Sequence, residues 1–146
     1  MFKHILIPID GSPRSARAIK TGLRLARQTG ARVTGYYAAD PVRLELGEGL
    51  GASSAIVREL DERHREAARK RLAPLERAAR TAGVPFDAVV DTPSSAYAGI
   101  VQAAKKGKCD AIVMASHGRG GLASALLGSV TQEVLARSKI PVMVTR

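Results

Sequence analysis

Apolar positions along this chain change their spacing again and again, and the changes mark out its elements. HILIPID, residues 4–10, is an apolar run without a gap that ends in Asp-Gly. Such a run suits a short strand covered on both faces. The spacing then becomes helical through Ala16, Ile19, Leu23 and Ala26, with Ser12 and Pro13 as N-cap and first helical residue and Gly30 as the stop. Residues 32–39, RVTGYYAA, read as a second strand, rich in β-branched and aromatic side chains. Residues 40–54 carry three glycines and no period, and predict a mobile connection that could close over a ligand. Helical spacing returns over 54–82 as one long helix. Its inner stripe is Leu60, His64, Ala67, Ala68, Leu72, Leu75 and Ala79, its outer face is charged, and Gly83-Val84-Pro85 ends it.

The remaining residues repeat the alternation. Strands are predicted at 86–92, 109–116 and 141–146, with helices over 93–107 and 129–138. Lys105 and Lys106 fall in the last turn of the first of these helices, where its dipole favours cations. Strands alternating with helices imply right-handed parallel crossovers. The expected fold is therefore α/β: an open, doubly wound, five-stranded parallel sheet of order 3-2-1-4-5, with helices on both faces, flavodoxin- or Rossmann-like. Any ligand crevice should lie beyond the carboxyl ends of the strands, where the winding reverses. The length, 146 residues, suits one domain over 1–146.

Composition narrows the picture modestly. Hydrophobic residues are 45% of the chain and aromatics only 3%, so the core must come from Val, Ile, Leu and Ala. Lone Cys109 excludes a disulfide framework and a cysteine metal cluster. The N-terminus lacks a signal-peptide core and no stretch reaches bilayer length, so a cytoplasmic location without membrane insertion is expected. The net charge of +10 favours anionic partners, but the cations are mixed with acids on helix faces and give no strong nucleic-acid signal.

The chemistry concentrates in ASHGRGGLASALLGSV, which starts at Ala115 and leaves the fourth strand towards the predicted crevice. Its glycines let backbone N–H groups approach a ligand. The helix opening at Gly128-Ser129 adds unpaired N–H groups and a positive dipole end, which together suit a phosphate. The alternative is plain turn-making, with Ser129 and Gln132 as a capping box. The chain has no Walker lysine motif, and this segment does not follow the first strand as a dinucleotide fingerprint would. HGRGG resembles an oxyanion stretch, but no Gly-x-Ser-x-Gly elbow accompanies it. His4, His64 and His117 lack zinc-ligand spacing. No catalytic residue and no metal ligand is assigned.

The opening HILIPIDGS, the VPFDAVV strand, DAIVMASHGRGG, LLGSV and the closing SKIPVMV together resemble the universal stress protein family, specifically its nucleotide-binding branch, across essentially the whole chain. That branch carries Gly-x-x-Gly, nine residues, then Gly-Ser or Gly-Thr. Here the series is Ala115 to Gly118, nine residues, then Gly128-Ser129, with Ala115 in place of the first glycine. The resemblance implies an ATP site, with Mg or Mn carried by the phosphates. Pro8 and Ile9 would line the base pocket, Asp10 would stand near the ribose and phosphates, and the Ala38 backbone would meet adenine. Gly118, Gly128, Ser129 and Val130 would form the phosphate loop, with His117 shaping it and Arg119 as an outlying phosphate partner. It further implies a stress-response regulator and a homodimer joined through the last strand. A nucleotide-independent interaction protein and a slow ATPase using Asp10 as base stay open as alternatives.

Overall fold

In the structure, a computed structural model, residues 1–41, 54–117 and 126–146 are described. Five strands, β1 (His4–Ile9), β2 (Arg32–Ala38), β3 (Phe86–Asp91), β4 (Ala111–Ala115) and β5 (Val142–Thr145), form one sheet of order β3-β2-β1-β4-β5. Every neighbouring pair is parallel. The expected order 3-2-1-4-5 is therefore the observed one. β1 is central and buried along its whole length, as its unbroken apolar run requires. β3, at an edge, alternates between half-buried and exposed positions because only one of its faces is covered.

Two apolar clusters sandwich the sheet. On one face α1 (Ser15–Thr29) and α3 (Ala73–Ala82) press Leu23, Ala26, Leu75 and Ala79 onto Ile5, Ile7, Val33 and Val113. On the other, α4 (Ala96–Lys106) and α5 (Ser129–Arg137) press Ile100, Ala104 and Val134 onto Leu6, Tyr36, Ile112 and Met114. Two adjacent tyrosines thus serve opposite cores, and both are buried. Gly22 lets α1 lie close on β1: a Cβ there would stand 2.5 Å from Ile7 Cδ1. Such overpacking costs about 1–3 kcal/mol.

Three expected details are corrected. The first helix starts at Ser15 rather than at a Ser12 cap, because residues 12–15 form a turn closed by Ser15 N–H donating to the Ser12 carbonyl at 3.1 Å. The predicted long helix is two helices, α2 (Ser54–Lys70) and α3. Pro74 is the reason: it has no N–H to give the Lys70 carbonyl one turn back, so α2 ends there and Pro74 is accommodated in the first turn of α3. The inner stripe holds only in part. Leu72, Leu75 and Ala79 are buried, but on α2 only Ala68 is, while Leu60 and Ala67 are exposed.

Candidate functional site

β1 and β4 pair only at Ile5↔Ala111 and Leu6↔Ile112 and then part. β1 feeds a helix on one face of the sheet and β4 receives its chain from α4 on the other, so the winding reverses between them. Pro8, two residues past the last paired position, has no N–H to extend a ladder towards β4. A cavity of about 410 Å³ opens at that point. Its size falls within the range of small-molecule sites.

Pro8, Ile9 and Asp10 line the cavity from the end of β1, and Ala38 from the end of β2. Ala115 and His117 reach it where the chain leaves β4, and Gly128, Ser129 and Val130 where it enters α5. Gly118 and Arg119 lie outside the described residues, as does all but the start of the connection expected to act as a lid. The other nine residues expected at the site share one cavity.

Local hydrogen bonds explain the arrangement. Asp10 Oδ1 accepts from the Ser12 N–H at 2.8 Å and from Ser15 Oγ at 2.9 Å, tying the β1–α1 turn together. Burial alone would raise the carboxyl's pKa, but donors on Ser12 and Ser15 outweigh it and hold it below the usual carboxylate value. Asp10 is therefore an anion fastened to its own turn. Across the cleft, the Gly128 N–H donates to the Ser116 carbonyl at 2.8 Å and Thr131 Oγ1 donates to the Ala115 carbonyl at 3.0 Å. These two bonds bring the mouth of α5 against the end of β4.

The capping box of the alternative reading is absent. Gly128 is the N-cap, Ser129 is the first helical residue, and the Gln132 side chain donates to the Leu127 carbonyl at 2.7 Å instead. No side chain caps α5 and no acidic residue stands in its first turn. Its leading N–H groups and positive dipole end are left to whatever occupies the cavity. Ala115 lies within a regular strand, and Lys108 is the only non-glycine residue of positive φ among those described. Alanine in place of the motif glycine therefore brings no backbone strain.

Sequence reasoning missed part of the wall. Ser15, Asp40, Met114 and Thr131 line the cavity, and so do Ala96 and Ile100 from α4. Thr131 carried a readable signal, since it sits two residues past Ser129 on the same first turn. Ala96 and Ile100 carried none, because nothing along the chain shows that the start of α4 crosses the crevice. His64, expected on the inner stripe of its helix, is half-exposed and Nε2 lies 2.6 Å from the Asp40 carbonyl at the end of β2. His4 and Cys109 sit at the opposite end of the sheet. Burial pushes the Cys109 thiol up to about 11, so it is an inert packing group.

The universal stress protein family profile matches residues 1–146. A universal stress protein of Thermus aquaticus, encoded in the 3′ region of a QAH/OAS sulfhydrylase gene, is 35% identical over 150 residues that span all of both chains. Among solved structures, that of the hypothetical protein MJ0577 matches with a TM-score of 0.77 at 26% identity, covering 99% of this chain and 96% of that one. A universal stress protein solved in complex with cAMP matches with a TM-score of 0.69 at 22% identity, covering 99% of this chain and 97% of the other. The first is a likeness of sequence and the last a likeness of fold alone.

Proposed function

The chain belongs to the universal stress protein family, and from that premise we propose that it binds an adenine nucleotide, ATP foremost, in the cavity between the ends of β1, β2 and β4. The observation that carries this reading is the uncapped start of α5, whose first turn faces the cavity without an acidic residue. Polyphosphate oxygens would take the N–H groups of Ser129 and Val130 and the Ser129 hydroxyl. The base would lie towards Ala38, among Pro8, Ile9 and the aliphatic wall of α4. Asp10, held as an anion, would face the ribose side, and Mg or Mn would arrive with the phosphates to offset their charge. The relative solved with cAMP adds support for an adenine nucleotide as the ligand class.

The protein would act as a stress-response regulator in the cytoplasm, through nucleotide-dependent shape or partner choice, as one domain and as a homodimer. Hydrolysis gains no support from Asp10: a carboxylate with a lowered pKa that already accepts from its own turn is a poor general base. No helix of the described residues is long and apolar enough to cross a membrane.

Isothermal titration tests the assignment. Mg-ATP is expected to release heat and to raise the melting temperature, while inorganic phosphate gives a far smaller effect because it leaves the base pocket empty. No heat and no thermal shift with millimolar Mg-ATP, AMP or cAMP would remove the reading.

A further inference from the structure

A second cleft, of about 490 Å³, runs between α1 and α3 on the face of the molecule that carries neither α4 nor α5. It exists because of what α3 presents there. Pro74, Ala78 and Ala82 recur every four residues, so one side of α3 offers only a ring and two methyls where longer side chains would have filled the gap. The floor is aliphatic, lined by Ile19 and Leu23 from α1 and by Ala78 from α3. The α1 bank is cationic: Lys20, Arg24 and Arg27 line the cleft, and all three are exposed.

The charges on that bank lack acidic partners, as do Lys105 and Lys106 on α4. α2, α3 and α5 pair their cations with acids one turn away, as in Arg63–Glu59, Arg80–Glu76 and Arg137–Glu133. α1 has no acidic residue anywhere in its sequence, and none of Lys20, Arg24 and Arg27 forms an ion pair among the described residues. An aliphatic channel flanked by unpaired cations at i, i+4 and i+7 asks for the mirror pattern in its occupant: a narrow apolar ridge of small aliphatic side chains, edged by carboxylates at the same spacing. Lys20 to Arg27 spans about 10 Å of helix axis, two turns of such a partner.

We propose that the α1–α3 cleft docks an acidic amphipathic helix of a partner protein. A phosphodiester chain would meet the cations but leave the aliphatic floor unexplained, since burying phosphate against it costs solvation. A flat anionic bilayer would touch the rim without reaching Ile19 or Ala78 in the channel. The occupant that satisfies both bank and floor is the helix. α1 also joins this cleft to the cavity described above, since Ser15 lines the cavity and Ala16 the near end of the cleft. The proposal does not rest on nucleotide binding.

The probe is a fluorescein-labelled synthetic helix of about five turns, with Glu at i, i+4 and i+7 beside a ridge of Ala and Leu. Binding is followed by anisotropy against a Lys-for-Glu control peptide, mixed-sequence single-stranded RNA and phosphatidylserine vesicles. The Glu peptide is expected to bind saturably, and the combined Lys20→Glu, Arg24→Glu, Arg27→Glu variant to bind it about tenfold or more weakly. Ala78→Arg is the decisive variant, with Ala82→Arg as its counterpart at the end of the floor should the first not fold. Each adds a cation, so general charge attraction would strengthen binding, whereas a filled channel weakens it about tenfold. Binding unchanged or tightened in a folded floor variant, no binding of the Glu peptide to the wild-type protein, or tighter binding of RNA or vesicles than of the peptide would overturn the proposal.

Discussion

At the scale of single residues, buried titratable groups set how the protein responds to acid. His4 is nearly inaccessible, with Nε2 2.7 Å from Thr34 Oγ1. Burial, and then the positive charge of Arg32, hold its pKa below the usual 6.5. Between that lowered value and 6.5 the unfolded chain binds a proton that the folded chain refuses, so stability is complete above 6.5 and falls as pH drops through this window. Asp10 works in the same direction lower down. Its folded pKa is depressed, so its contribution is present above 3.8 and lost as pH falls below that value. Urea titrations at a series of pH values should therefore show two separate declines. His4→Gln should flatten the upper and leave the lower, and Asp10→Asn should do the reverse. A wild-type profile that is flat between pH 6.5 and the acid limb would refute the part given to His4.

At the scale of elements, the start of α5 carries a prediction with opposite signs in two measurements. An acidic side chain in the first turn of a helix stabilises it by about 0.3–1 kcal/mol through the dipole and the free N–H groups. Ser129→Asp should thus raise the melting temperature of the ligand-free protein by a few degrees. The same carboxylate would compete with phosphate for those N–H groups and repel it, so affinity for Mg-ATP should fall about tenfold or more. A variant that gains stability while keeping full affinity would place the anion elsewhere. The sheet order could be read from strand-helix alternation because parallel crossovers leave few choices, and both ends of the cavity followed from it. Pro74 was equally visible, yet helical spacing that runs straight across it hid the break. The α4 wall at Ala96 and Ile100 had no signature, since helical spacing reports which side of a helix is inward and not what its first turn overhangs. The capping pattern at Ser129 misled by one residue, because the Gly128 N–H is drawn back to Ser116 and the helix begins earlier than the serine chemistry suggests.

At the scale of the whole molecule, the two edges of the sheet are treated differently. β3 ends one side with Asp87 and Asp91 outward, charges that discourage another strand from pairing there. β5 ends the other side with Val142, Met143, Val144 and Thr145 and carries no charge, and Met143 is 41% exposed. An uncharged apolar edge invites pairing, and two copies meeting antiparallel across a two-fold axis would cover both edges in one closed contact. This is the physical basis for the homodimer proposed above. Val144→Lys puts a charge into that seam at a residue that lines neither the cavity between β1, β2 and β4 nor the α1–α3 cleft. Light scattering at micromolar concentration should give a dimer mass for the wild-type protein and a monomer mass for the variant. Mg-ATP titration of the variant should keep its heat, because every residue of the cavity comes from a single chain. A wild-type protein that scatters as a monomer would end the pairing argument, and the charge contrast between the two edges would then serve only to keep β3 apart from other strands.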